Sequence, residues 1–553
     1  MFKKIVLGGL ALLCILGGIF IHNKIIYVGE EVDPLTYFDE FNKNTNNLVY
    51  EDIRIDLDEP AKLIDGQVFV RYEFANQYVS DTIFYDEAEK VLTLTNVREV
   101  VRLYEGENQI TFAGVSGNYI LKLENEGLYI SANLLEELFG VTVEQGSNER
   151  LFIATNNAQE QKIAVTKKKA SLRTHAREKS TVIEQLGKGE RVYVYSEEEG
   201  FVRVRSEQGI VGFLPSSEVK DEEIVDKISI PEVEQWEINP LKETVKLVWD
   251  QVSTKSEKDW TKGKYAAITN INVIAPTWFS FGDEVGTLED RGLKSYVDAA
   301  HNRGIQVWPI LSHNFENTGL TKTILSSTNK RQYVIDQVIQ YARTYGFDGI
   351  NIDIENIQTE TSDVWVQFMR ELYPQLKAQG LIVSVDVYMP SEWSNHYERE
   401  KVAASSDYFM VMAYDQHWSG SEEAGSVSEI PWVENGIQKN LEEVPKEKLV
   451  LGIPFYTRLW IERSNGLNVK SYSMASIQEV ISSWGVLPIY DEASGQNYVE
   501  HVQEDGIYKV WLEDYESISK RIALMEKYEL AGYGAWRLGY ETSDIWDILK
   551  KVE

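Results

Sequence analysis

The chain has 553 residues, 43% of them apolar, and a formal charge of −32. A surface that acidic argues against nucleic acid as a partner, because phosphate binding needs a basic face, and against adsorption to anionic lipid. One cysteine, Cys14, and seven histidines without paired spacing leave no disulfides, no thiol chemistry and no zinc site, so neither metal nor cofactor is expected.

Met1-Phe2-Lys3-Lys4 followed by the apolar run Ile5 to Ile21 reads as an export signal over residues 1–27. Its 17 residues lie at the short end of what spans a bilayer, and no small-residue cleavage site follows. A signal anchor is expected, with a cleaved signal peptide as the alternative. The bulk of the chain is then extracytoplasmic, held to the membrane through this segment or secreted.

Residues 28–60 are polar and acidic and read as a spacer. An internal repeat follows. Gly66 to Ala75, Ile83 to Asp86 and Lys90 to Asn96 match Gly127 to Leu135, Val141 to Glu144 and Arg150 to Asn156. Each copy predicts strand, short helix, strand, turn, strand. This α+β region, 61–157, resembles the stalk domain first named from copper amine oxidases; the name implies no copper here. Residues 163–219 predict a small β-barrel, with alternation in Arg191 to Tyr195, Phe201 to Arg205 and Gly209 to Pro215. Ala170 to Thr174, Gly187-Lys188-Gly189 and Gly212 to Pro215 resemble the bacterial SH3-like domain. That resemblance implies a cell-wall peptide as partner, with a rigid spacer as the alternative. Residues 220–240 carry Pro231 and Pro240 and read as a linker.

From residue 241 the texture changes to alternating strands and amphipathic helices. Strands are predicted at Lys246–Trp249, Asn272–Ala275, Gln306–Leu311, Phe347–Asn356, Leu381–Tyr388, Tyr408–Asp415, Leu449–Tyr456 and Ala531–Trp536. Eight βα units are the count for a (β/α)8 TIM barrel, an α/β fold, here with a small α+β insertion at about 462–511.

In the fourth strand, isoleucines at 350, 352 and 354 face one way and Asn351, Asp353 and Glu355 the other. Two neighbouring acids on a buried strand are costly unless they share protons or meet a ligand. Chemistry in such barrels sits at the C-terminal strand ends. There stand Asp353, Glu355, Asp386, Tyr388, Tyr414, Asp415, Tyr456, Arg458 and Trp536. Flat aromatic faces, acceptors for hydroxyls and an acid for a glycosidic oxygen are what a sugar site needs.

Four motifs carry a further resemblance. Asp348-Gly-Ile-Asn351-Ile-Asp353-Ile-Glu355, Met412-Ala-Tyr414-Asp415, Leu451-Gly-Ile-Pro454-Phe-Tyr456-Thr-Arg458 and Gly534-Ala-Trp536 resemble, in order, the signatures of glycoside hydrolase family 18, which includes chitinases. The resemblance covers 241–553. It implies a glycosidase acting on N-acetylglucosamine-containing glycan, peptidoglycan or chitin, by a retaining route in which the substrate's N-acetyl oxygen is the nucleophile. Glu355 would be the general acid, Asp353 the group orienting the acetamido moiety, and Tyr414 its hydrogen-bond partner. Asp415 and Arg458 would bind sugar polar groups, with Trp536 as the floor beneath the cleaved residue and Tyr388, Asp386 and Tyr456 around it.

Two positions depart from the family pattern. Asn351 replaces an acid that shares a proton with its neighbour; Asn351 is expected to hydrogen-bond Asp353 and to lower its pKa by removing a like charge. Leu311-Ser312-His313-Asn314 ends the third strand in place of SxGG. With Pro431-Trp432, these departures look more like the bacterial spore-coat and cell-wall branch. The alternative reading is a catalytically weak protein that binds cell-wall glycan without turnover.

Overall fold

The computed structural model describes residues 45–552, apart from 125, 126, 147 and 226 and the side chains of 221–224. The expected signal segment, with Cys14, and the first part of the spacer lie outside the described residues. Among the described residues no helix is long and apolar enough to cross a membrane. The chain divides into two compact units. One comprises residues up to 85, 90–94 and 101–232; the other comprises 86–89, 95–100 and 233–553.

In the first unit the repeat takes the expected form. Gln67–Arg71 leads into helical turns over 72–79 and the strands Ile83–Asp86 and Val91–Thr95. Gly127–Ser131 leads into the helix Ala132–Phe139 and the strands Val141–Gln145 and Leu151–Asn156. The leading strands of the copies pair antiparallel, with Ile130 opposite Val70. A hairpin absent from the sequence reading, Gly106–Phe112 with Val115–Glu124, extends that sheet. Its two-residue turn uses Ala113 and Gly114, both at positive φ, which matches the twist of the flanking strands. The stretch read as spacer is not all featureless. Asn47–Tyr50 pairs in parallel with Leu151–Asn156 and buries Leu48 and Val49. Four residues are too few to show a period.

Residues 161–225 form a seven-stranded antiparallel sheet. Its first and last strands, Gln161–Thr166 and Val219–Val225, pair with each other. Both reach past the 163–219 limits read from the sequence.

In the second unit an eleven-stranded sheet holds the eight expected strands. They are Val245–Asp250, Val273–Phe281, Gln306–Ser312, Gly349–Asp353, Ile382–Tyr388, Tyr408–Met412, Leu449–Pro454 and Gly532–Trp536. The second is interrupted at Thr277-Trp278 and the third at Trp308-Pro309. Proline lacks the N–H a continuous ladder needs. The pieces still pair, Ile274 with Val307 and Phe279 with Leu311. The sheet continues through Ile310 opposite Asn351, Gly349 opposite Ile382, Ser384 opposite Tyr408, Phe409 opposite Leu449 and Val450 opposite Gly532. Gly532 also pairs with Val245 of the first strand. Successive side chains face opposite sides. Ile350, Ile352 and Ile354 enter the large core shared with the helices, whereas Leu247, Trp249, Trp308 and Met410 pack on the concave face.

The helix Thr328–Tyr345 precedes the fourth strand. Ser327 caps it, accepting from the Lys330 N–H, and Gly346 ends it at φ +77°. That left-handed residue turns the chain into Phe347 and the acidic strand. After the seventh strand, Tyr456–Arg463 opens a separate five-stranded antiparallel sheet with the helix Met474–Trp484, running to Trp511. The α+β insertion thus starts at Tyr456, because the strand carrying Arg458 belongs to its sheet.

Candidate active site

Asn351, Asp353 and Glu355 climb the concave side of the fourth strand toward its carboxyl end. Asn351 is fully buried. Its side chain accepts from the Trp249 indole N–H at 2.8 Å and donates to Ser384 Oγ at 3.0 Å and to Asp386 Oδ1 at 2.8 Å. The expected bond to Asp353 is not formed. The amide instead spans from the first strand to the fifth, and every polar atom it offers there meets a partner, as burial requires. Gly534 makes this possible: a Cβ on it would lie 2.7 Å from the Trp249 ring.

Asp353 keeps one oxygen, Oδ1, buried without a hydrogen bond. Burial, with Glu355 and Asp386 nearby, holds its carboxyl well above the usual range. The lowering expected from Asn351 is therefore overruled: desolvation dominates, and the like charge comes from Asp386 and Glu355 instead. Asp386 is also pushed well above the usual range by burial, against the bonds from Asn351 and Trp249 and with Glu355 adding to the rise.

Glu355 stands at the strand end. Tyr388 donates to its Oε2 at 2.7 Å, and Tyr397 donates to its backbone carbonyl at 2.6 Å. Its backbone N–H donates to His313 Nδ1 at 3.2 Å. Burial raises its pKa, the Tyr388 bond pulls it back, and Asp415 adds a smaller rise. A raised pKa is the direction a general acid needs. His313 is buried, which lowers its pKa and favours the neutral ring that accepts from Glu355.

Two cavities meet these groups. One, of about 140 Å³, is lined by Trp249, Asp353, Glu355, Asp386, Tyr414, Asp415, Tyr456 and Trp536 among others. The second, of about 500 Å³, shares Asp353, Glu355 and Trp536 and runs past Gln251, Phe279, Ser280, Arg291 and Phe315. Asp415, just past the sixth strand at φ +58°, accepts from Tyr456 at 2.5 Å and from Arg458 at 2.6 Å. The structure sets Asn351 against Trp249 and Asp386 of the smaller cavity, Tyr388 beside Glu355 and Arg458 beside Asp415. Trp249, Ser384, His313 and Tyr397 were missed. Alternation placed Ser384 on the face of Asp386 and Tyr388, and Trp249 at the end of the first strand. Nothing local signalled that Tyr397, on the turn Glu392–Tyr397, reaches Glu355.

Residues 279–541 match the model for Glycosyl hydrolases family 18, and residues 168–220 the model for Bacterial SH3 domain. Fold and match define the class: the chain carries a family 18-like catalytic domain together with an SH3-like domain, and it is a hydrolase. Among curated proteins it is similar to the uncharacterized glycosylase YvbX of Bacillus subtilis (strain 168), 25% identical over 306 residues, covering 51% of this chain and 85% of that one. It is similar also to the cortical fragment-lytic enzyme of Bacillus subtilis (strain 168), 22% identical over 266 residues. There the match covers 46% of this chain and 62% of the relative. Among solved structures, the spore cortex-lytic enzyme SleL of Bacillus megaterium QM B1551 aligns with a TM-score of 0.51 at 17% identity, over 60% of this chain and 78% of that one. At that identity the likeness concerns the fold.

Proposed function

We propose that the chain is an exported glycosidase that hydrolyses β-1,4 bonds at N-acetylglucosamine in peptidoglycan or chitin. The eight strands are read as a closed barrel, the repeat as a stalk domain, the SH3-like domain as a cell-wall peptide binder, and residues 1–27 as the membrane attachment. The observation that carries the reading is the pair Asp353 and Glu355, both with raised pKa, lining two cavities that Trp536 also lines.

Glu355 holds its proton because burial disfavours the charged form, and passes it to the leaving glycosidic oxygen. Tyr388 then steadies the carboxylate left behind through its bond to Oε2. The partnerless Oδ1 of Asp353 is an acceptor awaiting a donor. An acetamido N–H in the cavity supplies one, turning the acetamido oxygen toward the anomeric carbon for substrate-assisted attack. Tyr414 lines the same cavity as the second group positioned on the acetamide. Asn351 takes no proton, so proton movement is confined to Asp353, Glu355 and Asp386, with Asn351 fixing Asp386 in place.

Incubation with chitooligosaccharides and with purified peptidoglycan, followed by mass analysis and proton NMR of the first-formed anomer, tests the reading. Products ending in N-acetylglucosamine and released as the β anomer support it. The α anomer, or no product from either polymer, refutes it.

A further inference from the structure

The larger cavity holds one feature that an uncharged N-acetylglucosamine polymer does not call for. Arg291 lines it together with Asp353, Glu355 and Trp536. Asp353 and Glu355 are the acids of that lining and Arg291 its one cation, in a chain of net charge −32; the guanidinium of Arg458 is already bonded to Asp415.

Its backbone is fixed. Arg291 follows the strand Leu288–Asp290, which pairs antiparallel with Phe279–Phe281, placing Glu289 opposite Ser280. The Arg291 N–H donates to the Trp278 carbonyl at 3.0 Å. The hairpin turn is held by Asp283, whose Oδ1 accepts from the backbone of Val285, Gly286 and Thr287. Gln337, from a flanking helix, accepts from the Leu288 N–H at 3.0 Å. The guanidinium makes one side-chain hydrogen bond among the described residues, to Glu289 Oε2, an oxygen that also accepts from Ser280 at 3.3 Å. Its side chain is about one-third exposed, at 31%. A guanidinium has five N–H donors in a planar fork that fits a carboxylate with two parallel bonds. Most of that fork is uncommitted and stands at the wall of the cavity.

We infer that Arg291 is a specificity-determining residue that pairs with a carboxylate borne by the glycan, as on the lactyl ether of peptidoglycan, so that the site favours a carboxylated N-acetylglucosamine polymer over neutral chitin. The inference rests on the proposed glycan site and names its substrate class. Glu289 acts as an internal competitor: it holds the guanidinium in place and yields part of it when a substrate carboxylate arrives. The simpler role, a brace across the hairpin, makes no distinction between charged and neutral glycan, and that difference is measurable.

The test is calorimetric binding, to the full-length chain, of N-acetylglucosaminyl-β-1,4-N-acetylmuramic acid and of the same disaccharide with its lactyl carboxylate converted to the amide. Wild type is expected to bind the acid more tightly than the amide, the ratio shrinking with added salt. Arg291→Gln is expected to reduce that ratio by about tenfold, the scale of one charge-assisted contact. Glu289→Gln is expected to raise it, by freeing the fork. A ratio unchanged by both variants overturns the inference and leaves Arg291 a brace. Hydrolysis is scored separately on the same protein. Cleavage without acid preference defeats this inference alone; acid preference without cleavage defeats the proposed function and upholds the inference.

Discussion

At the scale of single residues, the site is a problem of where protons reside. Asp353, Glu355 and Asp386 all have raised pKa, with burial as the leading cause in each. Tyr388 opposes the rise at Glu355, so Tyr388→Phe should push the Glu355 pKa higher still. An acid catalyst works protonated, so the basic limb of the kcat/KM profile should move to higher pH in that variant. kcat should fall on the order of tenfold, as the carboxylate formed loses a charge-assisted bond. An unmoved basic limb would mean that Glu355 is not the group titrating there. Asn351 offers a second test. Asn351→Asp would set a carboxyl where an amide nitrogen now stands 2.8 Å from Asp386. Two such groups must share a proton, and the shared proton is held more tightly folded than unfolded. Stability should therefore fall as pH rises, by on the order of 1–3 kcal/mol between pH 5 and pH 8. Thermal melts at the two pH values measure this; equal losses at both would contradict it.

At the scale of elements, the fourth strand was legible because its alternation is strict. Ile350, Ile352 and Ile354 do pack outward, and Asn351, Asp353 and Glu355 do face the concave side. What the strand could not reveal is which neighbour each polar group meets. Asn351 and Asp353 are close in sequence, but Asn351 bonds to the first and fifth strands, a choice set by the curl of the sheet and by the space left at Gly534. Tyr397 and His313 reach Glu355 from loops, where no period exists to read. The hairpin Gly106–Phe112 with Val115–Glu124 escaped notice for a related reason: Ala113-Gly114 is a weaker turn signal than Asn-Gly. Helix packing behind the strands rests partly on Arg331 and Glu371, both fully buried and joined at 2.8 Å. Glu371→Ala would take from Arg331 the buried carboxylate that two of its nitrogens bond, leaving its bonds to Thr328 and the Leu325 carbonyl. Denaturant unfolding should register a loss of about 3–5 kcal/mol. A loss under about 1 kcal/mol, typical of an exposed pair, would contradict this account of the helix layer.

At the scale of the whole molecule, each of the two compact units carries buried carboxyls with raised pKa, and in the first unit one of them makes stability depend on pH. Glu184, in the SH3-like domain, is mostly buried with one oxygen lacking a partner, and burial lifts its pKa to about 7. A carboxyl raised in the folded state contributes stability that is present below its ordinary value of 4.5 and is lost as pH climbs to about 7. The loss is about 3 kcal/mol. Glu184→Gln should flatten the pH dependence of melting of the first unit over that window. A variant as pH-dependent as wild type would remove Glu184 from the account. The repeat was legible from periodicity, since both copies show the expected strand, helical turn and paired strands. The outer strands Gln161–Thr166 and Val219–Val225 were cut short, because their pairing partners are distant in sequence.

The proposed hydrolysis turns on Glu355. Wild type and Glu355→Gln, incubated with chitooligosaccharides and peptidoglycan, should differ in release of reducing ends by about a thousandfold, the middle of what one acid–base group contributes. Both should bind glycan alike, since the amide keeps the shape of the carboxyl group. Equal, background release by the two proteins, with binding intact, would contradict catalysis and leave a glycan-binding protein in its place.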